Sequence, residues 1–167
     1  MNHVSKIVAV CGLPGSGKSY FAMRLADKMG ATYLSSDEIR KQMFVVRTYS
    51  DGEKLSVYQK MTDMAAKVVA RKNDVVLDAT FYRQNIRALV AKALEPPLRW
   101  IEVLADESVI QDRLSKPRMH SEADFKVYLK VKEKWEPLTG EFLRLQSTND
   151  NIDEMLAQAM QYLHNDQ

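Results

Sequence analysis

At 167 residues and 46% hydrophobic content, the chain is in the single-domain range and long enough to bury a core without disulfide or metal staples. Its 24 Lys and Arg against 22 Asp and Glu leave a formal charge of +2, which gives no global electrostatic reason to expect nucleic acid or an acidic membrane as partner. No stretch approaches the ~18 apolar residues of a membrane span. The short run Ile7 to Cys11 feeds a glycine-rich loop rather than a cleavage site, and Cys11 has no second cysteine, so the expectation is a cytoplasmic protein with a buried thiol.

In chain order, the β-branched run Val4 to Cys11 predicts a buried central strand, and Gly17 to Met29 a helix with Phe21, Leu25 and Met29 on one face. Ala31 to Ser35 reads as a second strand, and Ser35 with Glu38 has capping-box spacing for a helix to about Val45. Thr48 to Glu53 reads as a polar turn, after which Leu55, Tyr58, Met61, Ala65, Val68 and Val69 recur at helical spacing. Asp74 to Asp78 is a third strand, Asn85 to Leu94 a helix, and Pro96-Pro97 a break before the strand Leu98 to Ala105. Asp106 caps a helix ending near Pro117. A basic stretch runs through His120, and Ser121 and Asp124 open another helix. Phe142 to Ser147 is the last strand and Ile152 to Leu163 the last helix. Strands alternating with helices predict a parallel sheet covered on both faces, with ligands outside the carboxyl ends of the strands.

Gly12-Leu13-Pro14-Gly15-Ser16-Gly17-Lys18-Ser19 matches G-x-x-x-x-G-K-[ST] after a strand and before a helix, the context in which backbone N–H groups cradle phosphates. Gly12, Pro14, Gly15, Ser16, Gly17, Lys18, Ser19 and Tyr20 are therefore expected to bind ATP, with Lys18 neutralising the β- and γ-phosphates and Ser19 on Mg²⁺. The bland alternative is a Gly-rich turn with a solvated lysine. Val75-Val76-Leu77-Asp78 delivers a carboxylate at a strand end, where an aspartate holds Mg²⁺, though a turn-forming aspartate sits there too.

On the acceptor side, Asp37 can take the proton of an attacking hydroxyl and Arg40 can bind an anionic group; equally, the two can form an i,i+3 pair at a helix start. Thr80, past the third strand, is a further substrate-binding candidate, and Arg83 and Arg87 are weaker candidates for the acceptor cleft. Arg113, Lys116 and Arg118 read as a mobile cationic lid over about 113–125, or as a solvated basic loop. His3, His120 and His164 are dispersed and build no metal site with the lone cysteine.

These motifs resemble the P-loop kinases of the polynucleotide-kinase and zeta-toxin type. The likeness rests on Gly12 to Ser19, Ser36-Asp37-x-x-Arg40, Leu77-Asp78-Ala79-Thr80 and Arg113-Leu114-x-x-x-Arg118. It implies a three-layer α/β/α fold with a five-stranded parallel sheet of order 2-3-1-4-5 and a small helical lid. It also implies Asp37 as general base, Arg40 as a ligand of an acceptor phosphate, and Arg113 and Arg118 as lid cations. The expected activity is transfer of the γ-phosphate of ATP to a hydroxyl on a small molecule or on an end-bound nucleic acid. The competing reading is a module that binds or hydrolyses ATP without an acceptor; its GTPase form lacks an N-K-x-D motif.

Overall fold

The apolar run Ile7–Cys11 forms β1 at the centre of a sheet, with every one of its residues buried. The computed structural model describes residues 3–117 and 123–165, so Arg118, His120 and Ser121 lie outside the described residues. After β1 come α1 (Lys18–Met29), β2 (Thr32–Ser35), α2 (Ser36–Met43), α3 (Asp51–Ala70), β3 (Val75–Asp78) and α4 (Gln84–Ala93). Then follow β4 (Leu98–Leu104), α5 (Glu107–Leu114), α6 (Phe125–Glu133), β5 (Phe142–Gln146) and α7 (Ile152–His164). The strands line up as β2-β3-β1-β4-β5 with all neighbours parallel, which is the order the family resemblance implies.

Side chains alternate across a strand, so β1 sends Ile7, Ala9 and Cys11 to one face and Val8 and Val10 to the other. The first face packs on α3 through Val57, Tyr58, Met61 and Ala65, and on α4 through Val90. The second packs on Phe21 and Leu25 of α1 and on Met155, Leu156 and Ala159 of α7, which completes three layers. Burying a Phe or Leu stabilises by roughly 1.5–3 kcal/mol. Phe21 and Leu25, both 0% exposed, thus fix α1 and the loop before it to the sheet. A third cluster joins Ile110 and Leu114 of α5 to Tyr128 of α6 and reaches Leu13, seating this helix pair against the glycine-rich loop. Cys11 is buried, and burial pushes its thiol up to about 12, so it is an inert core residue.

Several boundaries differ from the sequence expectation. β1 starts at Ile7 rather than Val4, where pairing with Val75 begins. α2 stops at Met43; Phe44 is extended, and Val45 and Val46 are 95% and 77% exposed, having no layer to pack on. The expected turn Thr48–Glu53 is instead split: α3 begins at Asp51 with Ser50 as its N-cap. Ser50 Oγ accepts from the Glu53 N–H at 3.2 Å, and the Glu53 carboxylate reaches back to the Thr48 N–H at 2.7 Å. Asp124 caps α6 by accepting from the Val127 N–H at 2.9 Å. No helix among the described residues is long and apolar enough to cross a membrane.

Candidate active site

Where β1 hands the chain to α1, the backbone must turn tightly with its N–H groups inward, and glycine is what permits it. Gly15 and Gly17 have φ of 78° and 90°. A Cβ on Gly17 would stand 2.8 Å from Ser147 Oγ, and one on Gly12 would stand 2.6 Å from the Val103 carbonyl, so neither position admits a side chain without displacement. Gly17 is also the N-cap of α1, whose first turn carries no acid and presents the positive end of the helix dipole. Ser16 is 1% exposed and its hydroxyl has no hydrogen-bond partner among the described residues.

This loop floors a cleft of about 520 Å³ lined by Gly15, Gly17, Lys18, Ser19 and Tyr20. The opposite wall is the segment after β5, with Ser147, Thr148 and Asn149, and the start of α7, where Ile152 and Met155 add apolar surface. A second cleft of about 380 Å³ lies on the other side of Lys18, which lines both. Pro14, expected on the nucleotide, lines this second cleft instead.

A divalent metal needs hard oxygen donors, and Asp78 supplies one in the right surroundings. Asp78 is 2% exposed; its Oδ2 accepts from Tyr33 Oη at 2.5 Å, while its buried Oδ1 has no partner among the described residues. Burial pushes the Asp78 carboxyl above its ordinary value, while Lys18 and hydrogen bonds from Tyr33 and Ser19 pull it back. An orphaned buried carboxylate oxygen beside a serine hydroxyl fits a metal ion, so Ser19 and Asp78 are the residues suited to hold Mg²⁺.

The second cleft collects Ser36, Asp37 and Arg40 from the α2 turn with Thr80 from the end of β3. Asp37 is about a third exposed, and its carboxylate lies 3.5 Å from Arg40. Arg40 is nearly buried and makes a closer contact, Nε to Glu53 Oε1 at 3.1 Å, with its guanidinium over the Tyr49 ring at 4.8 Å. The i,i+3 pair is thus present, and both residues also line the cleft. Arg83 does not line either cleft; it is the N-cap of α4, with its guanidinium over the Tyr82 ring. Arg87 is buried and structural, donating to the carbonyls of Phe81, Tyr82, Glu136 and Pro137.

Arg113, expected as a lid cation, sits in the last turn of α5 against the nucleotide cleft. It donates to the Gly15 carbonyl at 3.1 Å, the Thr148 carbonyl at 3.0 Å and Ser147 Oγ at 3.2 Å, tying the phosphate loop to the opposite wall. Sequence reasoning missed that wall, although the polar run Ser147 to Asn151 at a strand's carboxyl end was a usable signal. It also missed Tyr49, Lys54, Tyr58, Tyr82, Lys130 and Lys134, all of which line the second cleft.

A family model described as an AAA domain matches residues 7–138. No curated protein matches the chain. Among solved structures, a sugar kinase from Janibacter sp. is 16% identical, covers 95% of this chain and 94% of its own, and superposes with a TM-score of 0.74. A gluconokinase from Sinorhizobium meliloti is 18% identical with 98% of each chain covered and a TM-score of 0.69. The Mycobacterium tuberculosis APS kinase in complex with AMPPNP and APS is 20% identical, with 95% and 97% covered and a TM-score of 0.73. At these identities the likeness is one of fold, and the fold is that of small P-loop kinases.

Proposed function

The chain belongs to the AAA domain family, and from that premise we propose that it is an ATP-dependent kinase transferring the γ-phosphate to a hydroxyl acceptor. The observation that carries this reading is Lys18, which lines the phosphate-loop cleft on one side and the Asp37 cleft on the other. A module that only binds ATP has no use for a second cleft that shares Lys18 and carries a carboxylate among its lining residues. The kinases of similar fold whose structures name a sugar, gluconate or APS are consistent with it.

In this mechanism the phosphate loop and the α1 N-terminus hold the triphosphate, while Lys18 neutralises the charge that builds on the γ-phosphoryl oxygens. Ser19 and Asp78 would hold Mg²⁺, which when bound would supply further charge neutralisation at the phosphates. The acceptor oxygen attacks γ-phosphorus, the bond to the β-phosphate oxygen breaks, ADP leaves, and the hydroxyl proton passes to the Asp37 carboxylate. Arg113 keeps the two walls of the nucleotide cleft at fixed separation, and the α5–α6 pair acts as the lid that excludes water.

The test is transfer of labelled γ-phosphate screened against sugars, sugar acids, nucleosides, antibiotics and 5′-hydroxyl RNA and DNA. A labelled product is expected from at least one class. Nucleotide binding with no product in any class would favour a regulatory module.

A further inference from the structure

We infer that the acceptor is a small anionic molecule whose charge is held by Lys54, Lys130 and Lys134 rather than by Arg40. This deepens the kinase reading and rests on it. The cations lining the acceptor cleft are Lys18, Arg40, Lys54, Lys130 and Lys134, and the carboxylate among the lining residues is Asp37. Two of the five are already committed. Lys18 serves the phosphate loop, and Arg40 is matched by the buried Glu53 at 3.1 Å and by Asp37 at 3.5 Å. Burial raises the Glu53 carboxyl, but the Thr48 N–H and hydroxyl and then Arg40 outweigh it and bring it below its ordinary range, so Glu53 stays ionised near neutrality.

Among the described residues the other three have no carboxylate partner. Lys54 Nζ lies 3.4 Å from Tyr82 Oη and 5.2 Å from the centroid of its ring, both neutral partners. Lys130 and Lys134 are four residues apart, at one end of α6 and its C-cap, so they face the same way as Val127 and Val131. Among the described residues neither pairs with a carboxylate. Two lysines outside this cleft do pair: Lys132 with Glu107 at 2.5 Å and Lys116 with Asp112 at 3.1 Å. Lys130 and Lys134 thus line the cleft side by side without an anion among the described residues, and like charges at this spacing repel until one arrives.

Size limits the class. At about 380 Å³ the cleft is near the lower end of small-ligand pockets, roughly 300–1,000 Å³. Val127, Lys130, Val131 and Lys134 of α6 and its C-cap form one wall of it. A carboxylate, phosphate or sulfate on a small polyol or sugar fits this chemistry.

Matched acceptors test it with labelled ATP: glycerol against glycerate and glycerol 3-phosphate, glucose against gluconate and glucose 6-phosphate, and a 5′-hydroxyl oligonucleotide. The anionic member of a pair is expected to lead in kcat/KM by about tenfold or more, the scale of a charge-assisted hydrogen bond. The K130Q/K134Q double variant should raise KM for the anionic acceptor about tenfold with a smaller change in kcat, and Lys54→Gln should act the same way. Equal use of the neutral member, unchanged KM in the double variant, or preference for the oligonucleotide over every small anion would overturn the inference while leaving the kinase reading intact. Binding of Mg²⁺·ATP with transfer to none of them, nor to any class of the wider acceptor screen, would sink the kinase reading, and this inference with it.

Discussion

Arg40 Nε lies 3.1 Å from Glu53 Oε1, and both side chains are more than nine-tenths buried. The guanidinium that the sequence offers to a substrate anion is therefore already balanced by a carboxylate from the next helix. This pairing leaves Asp37, at 3.5 Å, as the weaker partner and keeps its carboxylate turned to the cleft.

Replacing Glu53 by Gln removes the charge that holds Arg40. The guanidinium then has Asp37 as its nearest carboxylate, and a tightened pair withdraws the base from the acceptor. Transfer is expected to fall about tenfold or more, with Mg²⁺·ATP affinity unchanged and a lowered Tm. Steady-state kinetics beside calorimetry checks this, and wild-type turnover in the variant would show that Glu53 does not set the position of Asp37.

Asp37→Asn keeps the side chain's size and the α2 start, because the cap is Ser35 Oγ accepting from the Glu38 N–H. Loss of a general base should cut transfer by ~10²-fold or more while ATP still binds. Unchanged transfer would reduce Asp37 to a helix-start acid paired with Arg40.

Glu107 ties α5 to α6, accepting from Lys132 Nζ at 2.5 Å and from Tyr128 Oη at 2.9 Å. The Lys132 and Tyr128 hydrogen bonds draw its carboxyl below the ordinary 4.5. A depressed carboxyl stabilises the docked helix in its ionised form, so the contribution is complete above pH 4.5 and is lost as pH falls through the lowered value. Amide exchange in α6, measured against intrinsic rates, should be steady from neutral pH down to that range and rise below it. Glu107→Gln should show the raised exchange already at neutral pH; protection equal to wild type there would remove the tie.

The glycine-rich loop was legible because such a turn dictates residue type at fixed spacing: glycine where φ is positive or a Cβ would collide, then lysine and serine at the helix start. Asp78 was legible for a similar reason, a carboxylate at the end of an apolar strand. The acceptor half was only partly so. Ser36, Asp37, Arg40 and Thr80 follow strand ends and could be named, but a lysine on a helix surface looks the same in sequence whether it faces solvent or a cleft. Lys130 and Lys134 reach the cleft only because Tyr128 packs on Ile110 and Leu114, a tertiary contact without a local signature. The start of α3 was misread for another reason: Ser50 and Glu53 had capping spacing, but the polar composition around them suggested a turn.

The phosphate loop is tested most directly by calorimetric titration of the wild-type protein and of Lys18→Ala and Asp78→Asn with ATP, with and without Mg²⁺. One nucleotide per chain is expected to bind the wild type. The Lys18 variant should bind about tenfold or more weakly, and the Asp78 variant should lose most of the gain that Mg²⁺ brings while keeping its metal-free affinity. No heat of binding from folded wild-type protein with Mg²⁺ present would contradict the account at its base.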